Sequence, residues 1–453
     1  MFRTGFSYLR SGGHPDCRRR SGAECEFRSN RPRGFTEGCL DGRKCREGSN
    51  RDRHRGFRPP AILSGQHEER GKSGLLCAAS EKRCDPHPPG VRGQRVLHPG
   101  RSPRHVPPDV SGNHHVLQKR KQPMNEHLHG ILEGFNRLRI GVLGDFCIDA
   151  YWLLDQTHLE RSLETGKPTN AICEQSYGLG GAGNVVSNLV ALGVAEVSAF
   201  GVIGDDIFGR EMLDLMRRLG VQSAGMLVQE AEWATAVYAK PYVDLEEGER
   251  FDFGRFNSIT DQTADRLLAC VEQRMKLLNA LIINQQLKQG IHSDYLVAGL
   301  QALVDRYPDR IFLLDARDIS DRYRGMIFKL NAAEAARLCG QERVINQAIT
   351  VEELTGYATQ ISARTGKEVI ITRSDRGIMA YDRQTVYQVP GILVIGPTDP
   401  VGAGDTTASA ITASLASGTT LAEAIEIGNY AAGVTVRKLR QTGTATQSEV
   451  REL

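Results

Sequence analysis

The chain has 453 residues, of which 40% are hydrophobic and 25% charged, which is enough for two or three domains of ordinary size. The net charge of +3 hides two opposite parts, since residues 1–123 carry a net charge of +14 and residues 124–453 one of −11. No apolar run reaches the roughly 18 residues of a membrane span. The few, widely spaced cysteines of 124–453 are typical of free thiols in a reducing compartment, so we expect a cytoplasmic protein without a membrane partner.

Residues 1–123 differ in composition from the rest of the chain. They hold 12 of the 18 prolines and 26 Lys and Arg against 12 Asp and Glu, and their apolar residues follow neither a helical nor a strand period. This composition predicts a disordered extension. Three interpretations stay open: sequence upstream of a true initiator at Met124, a dispensable extension, or a basic arm. Aromatic residues are sparse and no nucleic-acid-binding motif occurs, so a nucleic-acid partner is not expected.

From residue 124 onward, strand-like and helix-like segments alternate. Helices are predicted at 183–193, 209–221, 293–308 and 332–340, with two more after residue 404, and strands at 140–143, 195–204, 280–284, 310–317, 368–374 and 377–382. This alternation predicts an α/β fold with a mostly parallel central sheet. One segment, 234–257, instead alternates with period two around an acidic turn. We expect it to form an exposed hairpin and, with 151–176, a small separate sheet.

Polar residues follow several of the predicted strands, where ligands bind in open parallel sheets. These residues are Asp145, Asp149, Asn284, Asp315 and Asn331. The glycine-rich segment GLGGAG, 178–183, lies too far from the first strand for a dinucleotide-binding fingerprint. We interpret it as a turn that lets a ligand approach the backbone ahead of the next helix.

Two further motifs lie at predicted helix starts. NAAE, 331–334, has the spacing of a helix cap, in which Asn331 and Glu334 satisfy each other's backbone amides. GAGD, 402–405, combines glycines that leave backbone amides open to an anion with the carboxylate of Asp405. This carboxylate either complements the helix dipole or removes a proton from a hydroxyl while the amides stabilise a phosphoryl group in transfer.

The ordered set of motifs resembles the ribokinase-like carbohydrate kinases of the phosphofructokinase-B type over roughly residues 139–446. The set comprises GD…D at 144–149, GGAGN at 180–184, NAAE at 331–334, TRSDRG at 372–377 and DPVGAGD at 399–405. Within the family, the segments GDFCIDAYW and EQSYGLGGAGNVVSNLVALG are most similar to the kinases that phosphorylate heptose 7-phosphate. The segments NQQLKQG, 284–290, and KLNAAE, 329–334, depart from that pattern, because the first lacks Asp-Tyr and the second lacks Thr-Pro before Asn331.

The resemblance implies a three-layer sandwich with a small β lid, and a kinase domain at 124–453 whose lid spans about 151–176 and 234–257. It also implies ATP and Mg²⁺ as cofactors, K⁺ as a further candidate, and a homodimer formed through the lid. Asp405 would be the general base, and the amides of Gly402, Ala403 and Gly404 the anion hole. The implied nucleotide-binding residues are Asn331, Glu334, Thr372, Arg373, Gly377 and Asn429. The implied sugar-binding residues are Asp149, Gly180, Gly181 and Asn184. Glu334 would hold Mg²⁺ through water, and Asp399 matches a monovalent-cation position.

Two other functions stay open from the sequence. One is a kinase for another sugar, either free or phosphorylated. The other is a sugar- or nucleotide-binding homologue without turnover, for which an intact Asp405 with Asn331 and Glu334 would not be required.

Overall fold

The computed structural model describes residues 126–453, apart from 245, 344–347 and 440–441. The predictions for residues 1–123 therefore lie outside the described residues.

Strands and helices alternate along the described part. The strands are β1 (Arg139–Gly144), β2 (Phe146–Asp155), β3 (Ala171–Gly181), β4 (Glu196–Ile203), β5 (Gln222–Val228), β6 (Ala236–Val243), β7 (Glu246–Glu247), β8 (Phe251–Phe253), β9 (Ala280–Gln285), β10 (Ile311–Ala316), β11 (Ile327–Asn331), β12 (Val369–Thr372), β13 (Ile378–Tyr381) and β14 (Val386–Val389). The α-helices are α1 (Glu126–Gly134), α2 (Ala182–Ala191), α3 (Ile207–Arg218), α4 (Asp261–Met275), α5 (Asp294–Arg306), α6 (Ala332–Leu338), α7 (Val351–Thr365), α8 (Ala403–Ala416), α9 (Leu421–Thr435) and α10 (Gln447–Arg451).

Nine strands form the central sheet in the order β14-β13-β12-β11-β10-β9-β1-β4-β5. Neighbours from β12 to β5 pair parallel, and β13 and β14 add an antiparallel edge. Successive residues of a strand point to opposite faces. Ile282 and Leu313 accordingly join one hydrophobic cluster, whereas Leu281 and Leu314 join a second cluster. Both faces of the sheet are buried under helices, which confirms the predicted α/β fold.

A second, smaller sheet contains β3, β2, β6 and β7 in that order, and β8 also pairs with β6. The expected hairpin at 234–257 is present, with Tyr238 opposite Asp252 in the antiparallel pair β6 and β8. The strands of this sheet extend beyond the range 151–176 expected from the sequence, since β2 begins at Phe146 and β3 ends at Gly181.

The segment 178–181 forms the end of β3, so its interpretation as a turn was wrong. The change from strand to helix occurs at Gly181, whose φ of 58° is a conformation that L side chains rarely adopt. A Cβ at this position would also collide with the carbonyl oxygen of Asp145. The glycine thus allows β3 to pass directly into α2.

Helix α8 is buried along most of its length, because its residues are small. The residues from Thr406 to Ser414 are all buried, and their hydroxyl groups bond back to carbonyls one turn earlier, as Thr412 does to Ala408 at 2.7 Å. Ser409 also donates to the carbonyl of Val185 in α2 at 3.1 Å. Close packing against α2 fixes the position of the α8 N-terminus. No helix in the described part of the chain is both long and apolar enough to cross a bilayer.

The loop after β9 is organised by one buried carboxylate, that of Asp145. It accepts hydrogen bonds from the backbone amides of Gln286, Leu287 and Ile291 at 3.0, 2.9 and 2.9 Å. A Cβ on Gly290 would overlap this carboxylate, so the chain wraps closely around it. Asp145 therefore has a structural role, because it fixes the backbone of the loop that follows β9.

Replacing Asp145 with Ala is expected to lower the free energy of unfolding by about 3–5 kcal/mol, because three buried or partly buried amides lose a charged acceptor. Urea unfolding followed by circular dichroism measures this change. The matched control is Asp309→Ala, since Asp309 is exposed, and it should change stability by less than about 0.5 kcal/mol. Equal stability of the two variants would contradict the anchoring role of Asp145.

Candidate active site

A cleft of about 1960 Å³ opens between the carboxyl ends of the central strands and the second sheet. Residues at or just after the ends of β9, β10, β11 and β12 form one wall, residues of β2 and β6 form another, and the start of α8 lies at the floor. Nine of the site residues that the family resemblance implies line this cleft. They are Asp149, Gly181, Asn184, Asn331, Glu334, Thr372, Gly402, Gly404 and Asp405.

Asp405 lies in the first turn of α8, half-buried at the cleft floor. The pKa of its carboxyl is raised to about 7, mainly by burial and then by the nearby negative charge of Asp315. The ammonium of Lys329 and a hydrogen bond from the side chain of Asn184 act in the opposite direction. Asp405 therefore exchanges a proton near neutral pH, as a general base requires.

The α8 N-terminus has no side-chain cap. Gly402 takes the cap position in the left-handed conformation, with φ of 81°. The amides of a first helical turn have no intrahelical acceptor, and the helix dipole favours an anion there. The Ala403 amide donates to the Pro400 carbonyl at 3.2 Å, so the arrangement favours the Gly404 amide over that of Ala403 as an anion donor.

A buried ion pair lies directly beside this helix end. Lys329 Nζ is 3.1 and 3.0 Å from the two carboxylate oxygens of Asp315. Burial alone would lower the pKa of Lys329, but the carboxylates of Asp315, Glu334 and Asp405 outweigh it and raise the pKa, so the ammonium stays charged. A Cβ on Gly404 would lie 3.2 Å from Lys329 Nζ. The ammonium thus adds positive charge where the helix presents its amides.

The motif NAAE forms the expected helix cap at the start of α6. Asn331 Oδ1 accepts from the Glu334 amide, and Glu334 Oε2 accepts from the Asn331 amide, both at 2.8 Å. Burial raises the pKa of Glu334. Both side chains nevertheless line the cleft beside Thr372, whose hydroxyl donates to the carbonyl of Leu330 at 3.4 Å. Capping uses one oxygen of each side chain, so it leaves polar atoms for a ligand.

Three further residues expected at the nucleotide, Arg373, Gly377 and Asn429, are not among those that line the cleft. Arg373 donates to the carbonyl of Arg376 at 2.9 Å and to Gln388 at 3.3 Å. Gly377 packs against the backbone of 389–391, and the Asn429 amide donates to the carbonyl of Pro390 at 3.0 Å. All three contact the segment that includes β14 and the residues following it.

The sugar-binding residues expected from the sequence lie close together. Asp149 is paired with Lys240 at 3.2 Å, and a Cβ on Gly180 would lie 2.7 Å from Asp149 Oδ2. Gly180 therefore leaves room for the Asp149 carboxylate, whereas the Asn184 side chain forms a hydrogen bond with Asp405. Lys240 was not expected from the sequence, because only the pairing of β2 with β6 brings it to Asp149.

The side chains that line the cleft determine how it could hold a metal ion. Among the described residues, no group of three or more His, Cys, Asp or Glu side chains is placed to hold a metal ion. A magnesium ion would therefore be held mainly by phosphate oxygens and water, with Glu334 as an outer contact. Asp399 does not line the cleft, and its carboxylate accepts from the Val401 amide at 3.0 Å in the turn before α8.

The chain is similar to curated proteins over 71% of its length. The chain is 30% identical over 327 residues to the bifunctional protein HldE of Wolinella succinogenes, which covers 71% of this chain and 66% of the relative. It is 29% identical over 338 residues to the bifunctional protein HldE of Sulfurimonas denitrificans. This alignment covers 71% of this chain and 65% of that relative. The chain thus spans just under two thirds of the length of these relatives.

Solved structures show the same fold. Phosphofructokinase-2 from Escherichia coli in complex with potassium superposes with a TM-score of 0.55 at 19% identity, over 70% of this chain and 97% of the other. Ribokinase from Giardia lamblia superposes with a TM-score of 0.54 at 16% identity, over 70% of this chain and 98% of the ribokinase chain. Residues 142–448 match the family described as pfkB family carbohydrate kinase. The chain therefore belongs to the pfkB family of carbohydrate kinases, with a ribokinase-like fold.

Proposed function

We propose that this chain transfers the γ-phosphoryl group of ATP to a hydroxyl group of a sugar. The observation that carries the proposal is the position of Asp405, a carboxyl with a pKa of about 7 in the first turn of an uncapped helix. An uncapped helix end favours a phosphoryl group, and a base of near-neutral pKa accepts a hydroxyl proton efficiently.

In this proposal Asp405 removes the proton of the sugar hydroxyl as its oxygen bonds to the γ-phosphorus of ATP, and the bond from that phosphorus to the leaving ADP breaks. Asn184 orients the carboxylate through its hydrogen bond. The Gly404 amide and the Lys329 ammonium stabilise negative charge on the transferred group, because both face the same end of α8. Asp315 keeps Lys329 in place without neutralising the helix end.

The nucleotide would lie along the β11 and β12 side of the cleft. ATP supplies the phosphoryl group, and Mg²⁺ neutralises charge on its phosphates when both are bound. Asn331, Glu334 and Thr372 would contact the phosphates and their metal ion. Arg373, Gly377 and Asn429 would act on the nucleoside indirectly, through the segment that they support.

The sugar would lie on the second-sheet side, held by Asp149, by the backbone at Gly181 and by Asn184. Heptose 7-phosphate is the substrate that we propose, since the motifs at 144–152 and 174–193 resemble those of heptose 7-phosphate kinases. The similarity to the HldE proteins over 71% of this chain supports this choice.

Three further features belong to the same proposal. The second sheet acts as a lid and as the contact of a homodimer, Asp399 supports a potassium site next to the α8 turn, and the enzyme works in the cytoplasm. The phosphofructokinase-2 structure is a complex with potassium, which supports the second feature by analogy of fold.

Replacing Asp405 with Asn tests the reaction, and ADP release is the measurement. The wild-type chain should release ADP with heptose 7-phosphate, in a screen that includes the free heptose and other phosphorylated and free sugars. Asp405→Asn should lower turnover roughly 10²–10⁴-fold, because the amide cannot accept the proton. Its affinity for ATP, measured by calorimetry, should stay within about threefold of that of the wild type.

The control is Asp309→Asn, which should keep full turnover. Asp405→Asn should also be folded and more stable than the wild type at pH 8. The folded-state pKa of Asp405 lies above its usual value of 3.8, so its charge lowers stability progressively from about pH 4 to pH 7. Removing this charge should stabilise the fold by up to about 4 kcal/mol at pH 8. Full turnover in Asp405→Asn would contradict the assignment of the base, and no ADP release with any sugar would favour a binding protein.

A further inference from the structure

The side chain of Asn284, near the end of β9, is fully buried. Neither its oxygen nor its nitrogen has a hydrogen-bond partner among the described residues. The backbone of the same residue is firmly held, because its carbonyl oxygen accepts from the amide of Asp145 at 3.2 Å and from the ring of His292 at 3.3 Å. Buried polar groups in folded proteins are nearly always paired, since an unpaired one lowers stability. The amide of Asn284 is therefore expected to find its partner in another state of the cleft.

Asn284 belongs to a polar row beneath the start of α8. In the strand pairing it lies between Gly144 of β1 and Asp315 of β10. Register neighbours on adjacent parallel strands are about 4.8 Å apart and point to the same face of the sheet. On this face Ile282 and Leu313, two residues earlier in each strand, belong to the cluster that also contains residues of α2 and α8. The Asn284 amide and the Asp315 carboxylate are thus neighbours between the sheet and α8.

The other neighbour of Asn284 in the row provides no acceptor. Gly144 has no side chain, and a Cβ there would lie 3.0 Å from the Cβ of Asn284 and 3.1 Å from the Cβ of Ala182. Ala182 is the first residue of α2, so this side of the row is closed by a helix. Asp315 is therefore the acceptor in register to which the Asn284 amide can donate.

Asp315 is held by a different partner in this structure. Its two carboxylate oxygens lie 3.1 and 3.0 Å from Lys329 Nζ, which uses two of the three N–H donors of that ammonium. The same ammonium lies beside Gly404, where the helix end favours a phosphoryl group. If Lys329 turns toward such a group, one oxygen of Asp315 loses its donor. A buried charged acceptor without a donor is strongly destabilising.

We infer that the Asn284 amide donates to Asp315 when the Lys329 ammonium turns toward the phosphoryl group, so that Asn284 is a positioning residue of the reaction. This inference rests on the proposed function and deepens it, because it names the residue that lets Lys329 exchange one partner for another. Each oxygen of Asp315 keeps a hydrogen bond throughout the exchange. The charge of Asp315 then stays compensated while Asp405 accepts its proton.

The test compares Asn284→Thr with Asn284→Val, two variants of the same shape that differ in one hydroxyl donor. Both side chains are β-branched and suit a strand, so any strain of shape is common to both. Asn284→Val should lower kcat roughly tenfold, as expected for a lost hydrogen bond to a charged group, whereas Asn284→Thr should stay within about threefold of the wild type. KM for ATP and for heptose 7-phosphate should change less than about threefold in both variants.

The pH dependence separates positioning from packing. The profile of kcat reports groups in the enzyme–substrate complex, whereas the profile of kcat/KM reports groups in the free enzyme. In Asn284→Val the apparent pKa of kcat should rise by about one unit, because an uncompensated charge on Asp315 favours the protonated form of Asp405. The apparent pKa of kcat/KM should stay that of the wild type, since Lys329 pairs with Asp315 in the free enzyme.

The control is Gln301→Leu, which removes a buried amide of α5 that does not line the cleft. The side chain of Gln301 is paired, because it donates to Asp305 at 2.8 Å and accepts from the Arg324 amide at 3.0 Å. Gln301→Leu should therefore lower the unfolding temperature and leave kcat and both pH profiles unchanged. Asn284→Val should unfold at or above the wild-type temperature, because it removes an unpaired polar group.

Thermal unfolding with a mimic separates this inference from the proposed reaction. Mg²⁺, ADP and aluminium fluoride together imitate the phosphoryl group in transfer, and they should raise the unfolding temperature of the wild type and of Asn284→Thr more than that of Asn284→Val. This result would support the inference even if no sugar led to ADP release. Equal kcat of Asn284→Thr and Asn284→Val, or equal stabilisation of both by the mimic, would overturn it. A loss of stability in Asn284→Val as large as that in Gln301→Leu would also overturn it, since the amide would then already be paired.

Discussion

The enclosure of one carboxylate, that of Asp405, constrains the rest of the cleft. A charged carboxylate that loses water destabilises the fold, and its neighbour Asp315 adds to this cost. The structure offsets the cost with Lys329, which pairs with Asp315 and also lies beside Gly404. The Lys329 ammonium thus gives the two carboxylates different properties. Asp315 forms an ion pair with it, whereas Asp405 remains able to accept a proton.

The packing of the molecule also fixes the surroundings of Asp405. Helix α8 consists of small residues and is therefore held tightly against α2, which fixes its first turn. The loops after β9 and β10 are held by Asp145 and Gln285, two buried polar side chains that accept hydrogen bonds from backbone amides.

The sequence allowed much of this arrangement to be predicted, but in an uneven way. Motifs that are local along the chain, such as the cap formed by Asn331 and Glu334, were recognisable because both partners lie within one helical turn. Periodicity also indicated most strands of the parallel sheet, although no range was predicted for β5 or β11. By contrast, the ion pairs of Lys329 with Asp315 and of Lys240 with Asp149 join different strands, and no local pattern reveals such partners. The glycines at 178–181 were misinterpreted because a turn and a closely packed strand end both require residues without side chains.

The most direct test of the account is the pH dependence of kcat/KM for the sugar substrate between pH 5 and pH 9. If Asp405 is the base and enclosure sets its pKa, log kcat/KM should rise with a slope of about one up to an apparent pKa near 7 and stay level above it. Asp405→Asn should show only a low residual rate without this slope. A wild-type profile that is flat from pH 5 to pH 8, or one whose apparent pKa lies near 4, would contradict the account.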